Sequence, residues 1–279
     1  MFNLLLIAII TLSIHASSAM ADHWGKPKLR GAGPWKMNIS VSTYNGTNLK
    51  INKKGNTLVK HAGVPNLVNL KGRPRVYFQW LPIQKSLHRN FDHIAFVDLT
   101  NGRWSPPKII KIPFKTREQY PVDPTVVNLK NGNVRMYFTS VSKRGTYIGS
   151  AQSSDGINFS IEKGKRLAIN NVNVRDSAVI FFGDKWHLIS PSHKSDARGF
   201  YATSSNGLDF KRQTDVSLQV RGEWLGNMTE TNGKVYFYGT GFIASTKNFK
   251  NWSLVSKHKL QDPAVLISSD KTIIVSTTR

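Results

Sequence analysis

The chain has 279 residues and no cysteine, so a small disulfide-stapled scaffold is excluded and one large core is within reach. It carries 39 Lys and Arg against 16 Asp and Glu, a formal net charge of +23, which favours anionic partners such as acidic polysaccharide, lipopolysaccharide, nucleic acid or a membrane surface. No stretch has the length and apolarity of a transmembrane helix.

Residues 1–21 read as a secretory signal peptide: residues 4–14 are mostly apolar, and Ala19-Met20-Ala21 supplies small residues for cleavage. A buried N-terminal helix or strand is the alternative. The leader has no charged side chain, so the expected mature chain, residues 22–279, keeps the whole positive charge. An exported chain without cysteine fits a periplasmic or secreted location.

Residues 35–41, followed by Tyr44-Asn45-Gly46 and Leu49-Lys50-Ile51, predict two short strands around a turn. A repeat then runs to the end of the chain. Each unit opens with a short apolar strand and continues, after a turn, into a strand rich in aromatics. The openings are Val64-Pro65-Asn66, Val122-Asp123-Pro124, Arg175-Asp176-Ser177, Leu225-Gly226-Asn227 and Gln261-Asp262-Pro263. The second strands include Arg75-Val76-Tyr77-Phe78, Arg135-Met136-Tyr137-Phe138, Trp186-His187-Leu188, Val235-Tyr236-Phe237 and Ile273-Ile274-Val275. After each of the first four units come a third strand, a polar turn and an aromatic segment, as in Ser154-Asp155-Gly156-Ile157-Asn158-Phe159, Ser205-Asn206-Gly207-Leu208-Asp209-Phe210 and Asn248-Phe249-Lys250-Asn251-Trp252. Asp-Gly and Asn-Gly are the pairs that tight hairpins prefer.

The fifth unit stops at Arg279 without its second half, and residues 35–51 supply the missing pattern. The prediction is an all-β, five-bladed β-propeller in a single domain, residues 22–279, whose last blade is closed by the N-terminal strands. Closure removes exposed sheet edges. A β-sandwich is the alternative, but it explains neither five copies nor a split unit.

The Asp-Pro strand starts and Ser-Asp-Gly-x-Asn-Phe turns resemble the five-bladed propeller glycosidases: the arabinanase and β-xylosidase family and the invertase and levansucrase family. The resemblance covers nearly the whole mature chain. The turns also resemble the Asp boxes of six-bladed sialidases, with one residue too few in the spacing.

The resemblance implies that the strand starts and the loops between second and third strands share one mouth of a central channel. It further implies a base or nucleophile Asp from the first blade, a second Asp from the second blade and a Glu acid from the third. Asp123 matches the second-blade position. Asp176 stands where the family would have Glu, and with Arg175 it resembles the Arg-Asp pair of the invertases. The first-blade position is Val64, so the expected base is absent there. Asp262 is the candidate substitute for the base and Glu223 the candidate acid. For each Asp the bland reading is a strand-start residue that bonds backbone N–H groups; for Glu223 it is a solvated side chain.

Candidate substrate-binding residues are Trp80, His88, Arg89, Arg144, Arg175, His193, Arg198 and Trp224, with Trp80 and Trp224 as stacking platforms and the cations as anion receptors. His88 and His193 have no metal-ligand spacing, and no metal or cofactor is expected. Two functions follow. One is a glycoside hydrolase acting on an acidic or substituted glycan; the other is a non-catalytic propeller that binds an anionic polysaccharide or surface polymer. The chain carries no recognised nucleic-acid motif, so a specific nucleic-acid partner is not expected. A monomer is expected.

Overall fold

The computed structural model of the chain describes residues 36–47, 51, 55–82, 93–113, 121–142, 145–192 and 197–279. These residues are all-β, with no α-helix among them, and form five antiparallel sheets arranged as a ring of blades. The inner strands are Ala62–Leu70, Pro121–Asn128, Ala178–Phe182, Glu223–Thr231 and Gln261–Ile267, from first blade to fifth. Each contacts the inner strand of both neighbouring blades, so the ring is closed around a central channel.

Every inner strand pairs with a second strand: Arg73–Trp80, Val134–Ser142, Lys185–Pro191, Lys234–Thr240 and Lys271–Thr278. Four tight turns carry positive φ at two consecutive residues: Lys71-Gly72, Asn101-Gly102, Gly183-Asp184 and Asn232-Gly233. That is the mirror-image turn whose twist suits a two-residue hairpin.

The N-terminal strand Asn38–Asn45 pairs with Lys271–Thr278 over its whole length, from Asn38 opposite Thr278 to Asn45 opposite Lys271. The split blade is therefore joined as its sequence predicts. Its outer strand differs: it is Asn56–Lys60, paired to Asn38–Val41, rather than Leu49-Lys50-Ile51. Ile51 instead packs, 2% exposed, among Tyr238, Ile243 and Ile274, so burial took the residue that the pattern assigned to a strand. Residues 48–50 lie outside the described residues.

The apolar core is divided into five clusters, one in each gap between neighbouring blades. Burial of the blade faces therefore ties each blade to the next, which is what a sheet with two apolar faces requires. Buried polar clamps reinforce two of the gaps. Tyr77 donates its hydroxyl to the carbonyl of Gly156 at 2.7 Å, and Tyr137 does the same to Gly207 at 2.8 Å. Arg75 and Arg135, two residues earlier on the same strands, reach the same turns at Gly156 and Asn206 while each holds a carboxylate of its own blade, Asp98 or Glu162.

Candidate active site

The inner strands start with an irregularity that aims side chains at the channel. In the first, second and fifth blades the register against the second strand shifts between Gly63 and Asn66, Val122 and Thr125, and Gln261 and Ala264. Inside those gaps, Val64, Asp123 and Asp262 have φ of +53°, +53° and +47°, and Asp176 on the third blade has +54°. Asp tolerates this left-handed backbone because its short polar side chain bonds locally; a β-branched residue there is strained. The backbone trap is thus built at four strand starts, and three of them present a carboxyl group.

Threonine hydroxyls late in the second strands hold these starts. Thr139 accepts the N–H of Asp176 at 3.0 Å and donates to the carboxyl of Asp123. Thr277 accepts the N–H of Val64 at 3.3 Å and donates to Asp262. Thr240 accepts the N–H of Asp262 at 2.8 Å. Each hydroxyl therefore fixes the next blade's strand start, and two of them also fix their own blade's carboxyl. The sequence reading missed these threonines, because Thr is an ordinary strand residue and its role needs the neighbouring blade.

The three aspartates converge. Asp123 and Asp176 are hydrogen-bonded carboxyl to carboxyl, which requires a proton between them. Burial, then the charges of Asp123 and Asp262, push Asp176 well above the usual carboxylate range; Arg175, 3.9 Å from its carboxylate, pulls the other way. Burial also raises Asp123, opposed by the Thr139 bond and Arg175. Asp262, 6% exposed, is pushed up to about 8 by burial and by the charges of Asp123 and Glu223. The cluster thus combines Asp262, pushed toward its protonated form at neutral pH, with a pair whose two carboxyls are both raised by burial.

Glu223 begins the fourth inner strand, close enough for its charge to act on Asp262. A cavity of about 670 Å³ opens beside it, walled in part by Arg221, Lys257 and Lys259. Arg175 is exposed next to the pair, Arg198 is exposed at the start of the third blade's third strand, and Trp80 is half-buried at the end of the first blade's second strand. Trp224 needs correction: it is fully buried, donates its indole N–H to the carbonyl of Ala197, and packs edge-on against Phe237, Phe242 and Trp252. It is a core residue and offers no face to a sugar. His88, Arg89, Arg144 and His193 lie outside the described residues. Among the described residues, no group of three or more His, Asp or Glu is arranged to hold a metal ion, and no helix is long and apolar enough to cross a membrane.

No family model matches the chain, and no curated protein matches it by sequence. Solved structures do match it in shape. A thermostable family-43 glycoside hydrolase superposes with a TM-score of 0.55 at 12% identity, covering 77% of this chain and 88% of that one. A family-43 β-xylosidase/α-arabinofuranosidase from a compost microbial metagenome, in complex with xylotriose, gives 0.55 at 14% identity over 78% of this chain and 90% of that one. The chain has the fold of the five-bladed glycosidases. The family-32 β-fructofuranosidase of Bombyx mori shares this propeller too, with a TM-score of 0.56 at 14% identity, over 86% of this chain and 57% of that protein.

Proposed function

We propose that this propeller hydrolyses glycosidic bonds in an acidic or substituted glycan at the channel mouth. The observation that carries the reading is the convergence in one channel of Asp262, pushed up to about 8, with the buried Asp123–Asp176 pair, whose carboxyls are both raised. Hydrolysis needs a carboxylic acid on one side of the scissile bond and a carboxylate on the other. Asp123 and Asp176 touch, so they act as one unit and cannot flank the bond by themselves. The division of labour follows: Asp262 gives its proton to the leaving oxygen, and the ionised oxygen of the pair takes the proton of the attacking water. Asp262 is thus an acid in this reading, whereas the sequence alone offered it as a substitute base. Arg175 and the cations beside Glu223 favour a substrate with negative charge.

Val64 supports a second reading, a non-catalytic propeller that captures an anionic polysaccharide, because the carboxylate the glycosidases draw from the first blade is missing. Turnover of a glycan panel with product analysis separates the two. Asp123→Asn and Asp176→Asn are each expected to lower turnover by about 10²-fold or more. Unchanged turnover in both overturns the hydrolase reading; salt-sensitive binding without turnover by the native chain establishes the second one. We also propose that the chain is exported and works as a monomer, with Asp22 as the first residue of the mature protein, which N-terminal sequencing and light scattering of the secreted product test.

A further inference from the structure

Among the described residues, three arginines are deeply buried: Arg75, Arg135 and Arg166, at 2%, 6% and 4% exposure. Two of them are neutralised by a two-pronged carboxylate. Arg75 donates to Asp98 at 2.7 and 2.9 Å, and Arg135 to Glu162 at 2.8 and 2.9 Å. Arg166 has no such prong. Its guanidinium donates to the backbone carbonyls of Leu208 and Lys163, and its Nε has no hydrogen-bond partner. Glu162, the carboxylate nearest in sequence, is already taken by Arg135 and by the hydroxyl of Ser150. A buried, under-compensated guanidinium is costly unless an anion completes it. Burial lowers the Arg166 pKa, and the charges of Glu162 and, more weakly, Asp209 offset this only in part.

Arg166 lies in the wall of a cleft of about 970 Å³ between the outer strands of the second and third blades, together with Lys165 and Arg212. A second cleft, of about 700 Å³, shares Gln213 and Asp215 with the first and continues to Lys185, Lys247 and Lys250 between the third and fourth blades. Among the described residues, Asp215 is the one carboxylate lining either cleft, and Arg212 binds it.

We propose that this paired groove on the outside of the ring is an accessory binding site for an acidic polysaccharide chain, separate from the channel carboxyls. Arg and Lys lining a concave groove recognise repeated carboxylate or sulfate groups. The aromatic rings lining the two clefts are packed against other rings: Tyr201, Phe249 and His187 stack on one another, Phe182 and Trp252 pack on Phe249, and Phe210 meets Tyr137 edge-on. Single-stranded nucleic acid needs open aromatic faces for its bases, and Tyr201 and Phe249 are buried. A bilayer is planar and does not enter a cleft between blades. A flexible, charged sugar chain fits both the shape and the charge.

The test is fluorescence anisotropy of labelled polygalacturonate oligomers with the full chain, at low and high salt. Neutral dextran, an oligo-dT strand and vesicles of phosphatidylglycerol and phosphatidylcholine are the competitors. The native chain is expected to bind polygalacturonate most tightly, and added salt to weaken it. Lys165→Glu with Arg212→Glu is expected to lower affinity at least tenfold and flatten the salt dependence. Arg103→Glu, exposed on the first blade and lining neither cleft, is expected to leave affinity within twofold, and the binding readout involves no turnover, so failure of the groove and failure of the hydrolase reading give different results. Lys185→Glu with Lys250→Glu probes the second cleft and decides the matter alone if the first pair does not fold. Affinity within twofold of native in the folded charge-reversed pairs overturns the proposal, as does tighter binding of oligo-dT or vesicles.

Discussion

Val64 sits in the backbone conformation that three aspartates share, at a cost of about 1–2 kcal/mol for a residue that gains nothing from left-handed geometry. The trap belongs to the blade, so the chain keeps it even where the carboxyl is gone. The aspartates carry a second cost, visible in pH. Asp262 titrates at about 8 in the folded chain against an ordinary 3.8, so the folded state holds a proton that the unfolded state releases. That stability is fully present below about pH 4 and is lost as pH rises through about 8. Asp123 and Asp176 are raised too and act in the same direction. Denaturant midpoints measured between pH 5 and pH 9 should therefore fall, and Asp262→Asn should flatten the fall; a flat native profile refutes the protonated acid. The aspartates were readable in the sequence because they recur at one place in a repeat. Their protonation was not, because it comes from three blades meeting.

At the scale of the element, the polar turns show how the blades are keyed together. Ser153 accepts the N–H of Gly156, and Ser204 that of Gly207, so the turn closes on itself and offers its carbonyl to the tyrosine of the preceding blade. The third copy is built differently. Phe249 takes the glycine position at φ +61°, and the residue facing it is His187, stacked at 3.7 Å between ring centres. By register against the inner strand, His187 stands where Arg75 and Arg135 stand and Ile189 where the two tyrosines do, so an aromatic stack replaces the arginine–tyrosine clamp across this gap between blades. Gly207→Ala should consequently be severe: its Cβ would meet Arg135 Nη1 at 2.6 Å and the Tyr137 hydroxyl at 2.9 Å. Gly233 has a similar φ with nothing within 4 Å, so Gly233→Ala isolates the backbone term of about 1 kcal/mol. Chemical denaturation should place Gly207→Ala about 1–2 kcal/mol below Gly233→Ala; equal losses would mean that the clamp is not rigid. The turns were legible as Ser-x-Asp-Gly strings. Trp224 was misread because a strand start was taken to face the mouth; the register shifts between Glu223 and Gly226, and a bulge changes which face a side chain takes.

At the scale of the molecule, the ring closes because the last blade borrows its third and outer strands from the N-terminal part of the chain. The split unit made this visible in the sequence. The outer strand was misplaced because two short segments, one ending at Ile51 and the other at 56–60, both have a strand pattern, and only packing against Tyr238 and its neighbours decides between them. The closed ring is also what gives the site its chemistry: carboxyls from the second, third and fifth blades reach one channel and are desolvated together. The proposed hydrolysis therefore depends on Asp262 as its acid. The most direct test is the rate of reducing-end release from an acidic glycan, followed from pH 5 to pH 9 in the native chain and in Asp262→Asn. The predicted result is native turnover that falls as pH rises through about 8 and a loss of about 10²-fold or more in the variant. Turnover that ignores both the pH change and the substitution, or no turnover of any acidic glycan by the native chain, would contradict it.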